Sequence, residues 1–311
     1  MPSLPFPTGY PVKVFALPTG QLTHPDRWLF EDGDEDIIKA SNPYPDYSFL
    51  IQHQDSGRNV LFDLGLMKDE NLMPAVIRGL SHITKPYVPE DAFDILKRGP
   101  VAPSSISDIT FSHLHFDHIG DCTKFPDARL LAGPGSKAAN GPGWPTLSKS
   151  PFGSAPIQHP KYSELSFEEH SWSPLGPFDR AYDFFGDGTF YLIDTPGHMA
   201  GHLGGLALTG SDEWLFMGGD CCHHRSLLFG SRPMSVTCGP AGQPGFHRDP
   251  EVAKQTIANI RKLEKSDNVF VALAHDSFLV DIMPEYPEPI NGWSQSQWNK
   301  NLQGVLAQNY E

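Results

Sequence analysis

The chain reads as an α+β protein made of two mixed β-sheets with helices on their outer faces, and two observations predict this. Short apolar runs broken by Gly, Pro and Asn turns recur along the sequence, and 30 Pro and 29 Gly among 311 residues suit strands and ordered loops better than a helical bundle. Helical periodicity is confined to two regions, between Lys68 and Arg98 and from Asp249 to Leu263. Strand and helix therefore do not alternate as a doubly wound parallel sheet requires.

Lys13 to Leu17 is a short apolar run closed by Pro18-Thr19-Gly20, and Tyr47 to Gln52 pairs with Asn59 to Leu64 across the turn Asp55-Ser56-Gly57-Arg58. Between Lys68 and Arg98 the spacing turns helical. Leu72, Val76 and Leu80 mark the inward face of a first piece and Ala92, Ile95 and Leu96 that of a second, with Pro86 and Pro89 separating them. Ser105 to Ser112 alternates as a buried strand that stops at His113. Ala128 to Ala132 and Thr189 to Ile193 are further strands, and Gly204 to Leu208 pairs with Trp214 to Met217. Asp249 to Leu263 is a helix with Val252, Ile257 and Ile260 inward and Pro250 in its first turn, and Val269 to Ala274 is the last clear strand. Gly133 to Pro160 is rich in Gly, Pro and Ser yet holds Trp144, Leu147 and Phe152, so we take it as an active-site loop rather than a linker. One domain over residues 1–311 accounts for this order, with substrate-loop insertions at about 66–100 and 133–187 and a polar C-terminal tail at about 285–311. In that tail Trp293, Trp298 and Leu306 dock on the domain or on a second subunit, which would make a homodimer.

The run His113-Leu114-His115-Phe116-Asp117-His118 packs three imidazoles and a carboxylate into six residues. His is the commonest metal-binding side chain near neutral pH and Asp is a hard oxygen ligand, a mixture that suits zinc and related ions. Left without a metal, four such groups after a buried strand would each demand a hydrogen-bond partner. On an extended segment His113, His115 and Asp117 share one side, and His118 turns towards a second centre. Three later residues follow apolar strands in the same way: His198 in Thr195-Pro196-Gly197-His198, Asp220 after Gly218-Gly219, and His275. Together they predict one ion on His113, His115 and His198, another on Asp117, His118 and His275, and Asp220 bridging both. Each ion keeps open coordination for water, as catalysis requires. Zinc is the default pair of ions; iron, manganese and cobalt accept the same ligands.

The net charge is −14 and no Lys/Arg stripe interrupts it, which argues against nucleic acid or an anionic membrane as partner. The start Met1-Pro2-Ser3-Leu4-Pro5-Phe6-Pro7 lacks the basic and apolar blocks of a secretory signal, and no apolar run approaches the roughly 18 residues of a membrane span. Cys122, Cys221, Cys222 and Cys238 form no Cys-x-x-Cys pattern, and adjacent cysteines pair only with strain, so a reduced, cytoplasmic setting is expected.

The order His-x-His-x-Asp-His at 113–118, Thr-Pro-Gly-His at 195–198, Gly-Asp at 219–220 and the strand-ending His275 resembles the metallo-β-lactamase superfamily, and Leu61-Phe62-Asp63-Leu64-Gly65 resembles its strand and Asp-x-Gly turn. The resemblance runs from about Val12 to Asp276 and implies a four-layer αββα sandwich with a dinuclear metal site at one sheet edge. Ser112 to His118, Asp194 to His198 and Ala274-His275-Asp276 are most similar to the N-acyl homoserine lactonase branch and its fungal relatives. That branch carries a Tyr three residues beyond the bridging Asp, where this chain has His223. The implied activity is hydrolysis of a lactone by a metal-bridging hydroxide. Asp117 and Asp220 would orient the nucleophile, and Asp220 or His223 would pass a proton to the leaving alkoxide. Asp63 and Asp276 would accept the free N–H groups of ligand imidazoles, and His202 would fix its loop by hydrogen bonds. His223 and His224 are divided between substrate contact and support, Cys221 and Cys222 are small packing residues, and Trp144, Phe152, Trp172 and Phe178 line a pocket or pack their loops. An acyl thioesterase resembling glyoxalase II is the alternative small-molecule hydrolase. A phosphodiesterase is disfavoured by the acidic balance, and a non-catalytic metal module by the open coordination.

Overall fold

The computed structural model describes residues 9–36, 39–237 and 245–310. Among these residues twelve strands form two six-stranded sheets. The first holds β1 (Lys13–Pro25), β2 (Ser41–Gln52), β3 (Asn59–Phe62), β4 (Ile106–Thr110), β5 (Arg129–Ala132) and β6 (Tyr162–Glu164) in that spatial order, antiparallel up to β3 and parallel beyond it. The second runs β12-β11-β10-β9-β8-β7 and comprises β7 (Trp172–Leu175), β8 (Phe178–Asp183), β9 (Phe190–Asp194), β10 (Leu203–Gly210), β11 (Glu213–Met217) and β12 (Val269–Ala272). Only β11 and β12 are parallel in it.

The two-residue period of the strands sorts their side chains between layers. Phe49, Ile51, Val60 and Phe62 face Phe190, Leu192, Leu215 and Phe270 between the sheets, while the intervening Leu50 and Leu61 turn outward onto Ile95 and Leu96. On the far side Leu206, Phe216 and Val271 pack against Ile257, Ile260 and Leu263 of the helix Pro250–Glu264. Each such buried Leu, Ile or Phe contributes roughly 1.5–3 kcal/mol relative to exposure. The result is helix, sheet, sheet, helix, the metallo-β-lactamase sandwich expected from the resemblance.

Several elements differ from the sequence reading. Leu72, Val76 and Leu80 are exposed rather than inward, because Pro74 and Gly79 break the segment into short turns that never present one continuous face. Val252 is also exposed, one position away from the buried stripe of its helix. The stretch 133–187 supplies β6, β7 and β8 to the sheets rather than loop alone, and the polar tail ends in the helix Gln297–Tyr310. Leu302, Leu306 and the nearby Trp293 enter the core between the sheets, so the tail docks on its own domain. Cys122, Cys221 and Cys222 are buried free thiols; Cys238 and Met1 to Pro7 lie outside the described residues. Among the described residues no helix is long and apolar enough to cross a membrane.

Candidate metal centre

Strand ends from both sheets meet at one edge. His113, His115, Asp117 and His118 follow β4, and Asp63 follows its parallel neighbour β3; His198, Asp220 and His275 follow β9, β11 and β12. The turn carrying His198 lies directly on the helix Pro250–Glu264. At Gly197, with φ 123°, a Cβ would stand 2.4 Å from the backbone nitrogen of Ala253, so only glycine fits.

Two quartets of ligand atoms result, each with its donors within 4.8 Å of one another. In the first, His113 Nε2 lies 2.8 Å from His115 Nδ1 and 3.1 Å from His198 Nε2, and the latter two nitrogens are 2.9 Å apart. Asp220 Oδ2 stands 3.4 Å from His198 Nε2 and 3.6 Å from His113 Nε2. Its other oxygen, Oδ1, lies 3.1 Å from both His118 Nε2 and His275 Nε2, while Asp117 Oδ2 is 3.8 Å from His275 Nε2. Asp220 thus offers one oxygen to each quartet.

These atoms fit metal ions and fit one another poorly. An imidazole nitrogen carries either one hydrogen or one lone pair, so three of them in a triangle cannot all be hydrogen-bonded together. Burial pushes the His113 and His198 imidazoles well below their ordinary value and His115 down to about 4, which leaves them neutral with lone pairs free. Asp117 Oδ1, His118 Nε2, Asp220 Oδ1 and His275 Nε2 are buried without a hydrogen-bond partner, even where they approach to 3.1 Å. Close atoms that meet at angles no hydrogen bond accepts are aimed at a common point between them. Burial would lower His118 and His275, but the Asp220 carboxylate outweighs it, so that His118 sits well above its ordinary value and His275 at about 9. Burial likewise opposes ionisation of Asp220, which His118, His223 and His275 nonetheless hold well below the usual carboxylate range. The second quartet therefore attracts positive charge.

Other side chains hold these groups in place. Asp63, at φ 61°, accepts from Ser112 N at 2.6 Å and from His118 Nδ1 at 2.9 Å. His202 Nδ1 donates to Thr195 Oγ1 at 2.8 Å and its Nε2 accepts from Asp220 N at 3.1 Å; burial, pushing the ring down to about 3, keeps it in that neutral form. Asp276 is a correction. It touches no ligand imidazole: its carboxylate accepts from Arg225 Nε at 2.7 Å and Phe278 N at 3.1 Å, and His275 Nδ1 donates instead to the Pro45 carbonyl at 2.9 Å. The wholly buried Arg225, which also donates to Glu264 and Val271, requires that anion.

His223 Nε2 lies 3.2 Å from Asp220 Oδ2, and Phe246 stacks on its ring at 4.8 Å. His224 turns away to cap the helix Arg225–Phe229. Phe152 lies parallel to His115 at 5.5 Å, whereas Trp144 packs under Arg78, and Trp172 and Phe178 pack within the second sheet against Tyr182 and Phe216. Three neighbours escaped the sequence reading. His247 is buried 5.4 Å from the His198 ring and 5.1 Å from that of His223; His24 is 5.5 Å from His275; Asp46, whose carboxyl burial raises to about 8, faces His275 and His118. Each stands alone in the sequence, and only His247, just before the Asp249 helix cap, has a positional clue.

Residues 42–275 match the profile of the Metallo-beta-lactamase superfamily, and with the fold and this site the chain belongs to that superfamily and is one of its hydrolases. The metallo-hydrolase mfmC of Annulohypoxylon moriforme is 34% identical over 95% of this chain and 87% of its own length. The gamma-lactamase FDB1 of Fusarium pseudograminearum is 32% identical, over 82% of this chain and 72% of its own. The cytochrome P450 monooxygenase mpaDE' of Penicillium brevicompactum is 36% identical over 98% of this chain, which spans only 38% of that longer protein. A solved structure of a B. thuringiensis AiiA variant, with N-decanoyl-L-homoserine bound at its active site, matches with a TM-score of 0.67 over 89% of this chain and 98% of that one; at 18% identity this shows a shared fold.

Proposed function

We propose that the protein opens a lactone, using two divalent ions held by His113, His115, His198 and Asp220 and by Asp117, His118, His275 and Asp220. Zinc suits this donor set. Bound there, the ions supply a hydroxide nucleophile near neutral pH and an electrophile for the carbonyl oxygen. The chain's own part is to aim the reactants and to move the proton. Asp117 and Asp220 orient the nucleophile, and His202 fixes the backbone of Asp220 from behind. The observation that carries the choice of substrate is His223, whose Nε2 lies 3.2 Å from Asp220 Oδ2. An alkoxide is a strongly basic leaving group and needs a proton as the C–O bond breaks, whereas a thiolate, with a parent pKa of about 8.5, leaves without one. A proton donor beside Asp220 therefore favours oxygen leaving groups over the thioester alternative. A lactam nitrogen has the same need, and the similarity to a protein named as a gamma-lactamase supports that second reading.

A hydrolysis panel of lactone, γ-lactam and acyl thioester on metal-replete protein tests this. Lactone turnover is expected, abolished in Asp220→Ala, and reduced in His223→Ala far more than any residual thioester turnover. Preferential thioester hydrolysis, or full activity in Asp220→Ala, would overturn it.

A further inference from the structure

The segment 246–248 reaches the rim of the first quartet without supplying a ligand to it. Arg248 N donates to the His198 carbonyl at 2.9 Å and Asp249 N to that of Gly197 at 3.0 Å, which ties the segment to the turn that carries His198. Phe246 then stacks on His223, and His247 is buried against His198 and His223 with both ring nitrogens lacking a hydrogen-bond partner. Arg248 extends the other way, its guanidinium 6.0 Å from the centre of the Phe152 ring that lies parallel to His115.

What distinguishes this guanidinium is that no acceptor among the described residues meets it. Among the described residues every other arginine donates to a protein oxygen: Arg27, Arg58, Arg78, Arg98, Arg129, Arg180, Arg225, Arg232 and Arg261 all do so. Arg248 is exposed, and it stands near enough to His115 for its charge to act on that ring. In a chain of net charge −14, with carboxylates in plenty, an unpaired guanidinium at the rim of the metal centre is a placed charge. Its planar fork matches a carboxylate in bidentate fashion.

Resting on the lactonase reading above, we propose that Arg248 binds a second, anionic group of the substrate, a carboxylate set apart from the scissile acyl group. The substrate class is thus a compact acidic lactone, and Arg248 determines specificity without taking part in bond breaking.

Calorimetric titration of metal-replete protein with benzoate and with isophthalate tests the proposal apart from catalysis. Both carboxylates reach the metals, but only isophthalate carries a second for Arg248. It should bind about tenfold more tightly, as one charge-assisted bidentate contact allows. The preference should vanish in Arg248→Gln and survive in part in Arg248→Lys. Equal binding of the two ligands by the wild type, or a preference that persists in Arg248→Gln, would overturn the proposal. The KM ratio of dihydrocoumarin to its ring-carboxylated form should move in the same sense. Should neither be hydrolysed while the isophthalate preference holds, the lactone reading falls and the carboxylate site stands.

Discussion

Asp63 can be tested with little disturbance to the turn it occupies. Asparagine has nearly the same size and tolerates the left-handed backbone at φ 61°, so Asp63→Asn removes the carboxylate and leaves the turn. The carboxylate accepts twice, from Ser112 N at 2.6 Å and from His118 Nδ1 at 2.9 Å. An amide has a single acceptor oxygen. Aimed at Ser112, it turns its NH2 group on the His118 N–H; flipped, it opposes two donors at Ser112 instead. One bond is lost in either rotamer, at a residue only 1% exposed where water cannot replace it. Loss of such support from a metal-ligating histidine costs about 10–100-fold in metal affinity, about 1.4–2.8 kcal/mol. The loss should fall on the ion proposed for Asp117, His118 and His275, because Ser112 Oγ, 3.0 Å from His113 Nδ1, still supports the other proposed position. Equilibrium dialysis against graded chelator, with metal content read by mass spectrometry, should show Asp63→Asn passing from two ions per chain towards one at chelator concentrations the wild type withstands. A variant that holds both ions as firmly as the wild type, or that releases both together, would refute the reasoning.

Arg225→Met should destabilise the fold by about 3–5 kcal/mol, read from the urea midpoint, because it leaves Asp276 and the partly buried Glu264 without their cation; an unchanged midpoint would show that water replaces the guanidinium. Asp108 bridges Arg58 at 2.6 Å and Arg129 at 2.8 Å. Burial raises its carboxyl, yet the hydrogen bonds from Arg58 and Ser107 and the two arginine charges hold it below the usual range. A folded value below the unfolded 3.8 means the stabilisation is complete above that pH and is lost as pH falls through the folded value. Asp108→Asn should therefore cost about 1 kcal/mol at neutral pH, discounted for its half-exposed partners, and the gap to the wild type should close in acid; a gap constant with pH would contradict this.

Strands buried on both faces were the most legible part of the fold. Phe49-Leu50-Ile51 and Val60-Leu61-Phe62 are continuous apolar runs because each face meets a core. The strands β7 and β8 escaped notice because they lie at one end of the second sheet, where Ser173, Pro174, Asp179 and Arg180 are exposed and break the alternation. The stripe Leu72, Val76 and Leu80 misled in the opposite sense: its spacing is helical, but periodicity shows that residues share a face and does not show where that face points.

The candidate ligands were legible for a different reason, their clustering in a short run and at strand ends, and that kind of reasoning misled at Asp117 and Asp276. Parity puts His113 and His115 on one side of an extended segment, as the first quartet has them, but it would add Asp117, and there it fails: the turn in which His118 N donates to the His115 carbonyl at 3.1 Å carries Asp117 into the second quartet with His118. His275 and Asp276 lie in the turn beyond β12, where His275 points into the second quartet while the carboxylate of its neighbour meets the buried Arg225 and caps the following turn. Adjacency in sequence suggests a shared role, and the turn gives the two side chains different partners. His247 is the converse case: nothing near it in sequence is a ligand, yet the bonds from Arg248 N and Asp249 N to the His198 turn bring it against His198 and His223. Groups that converge through backbone pairing between distant segments leave no local trace, so the clustered His and Asp candidates could be read in advance and His247 could not.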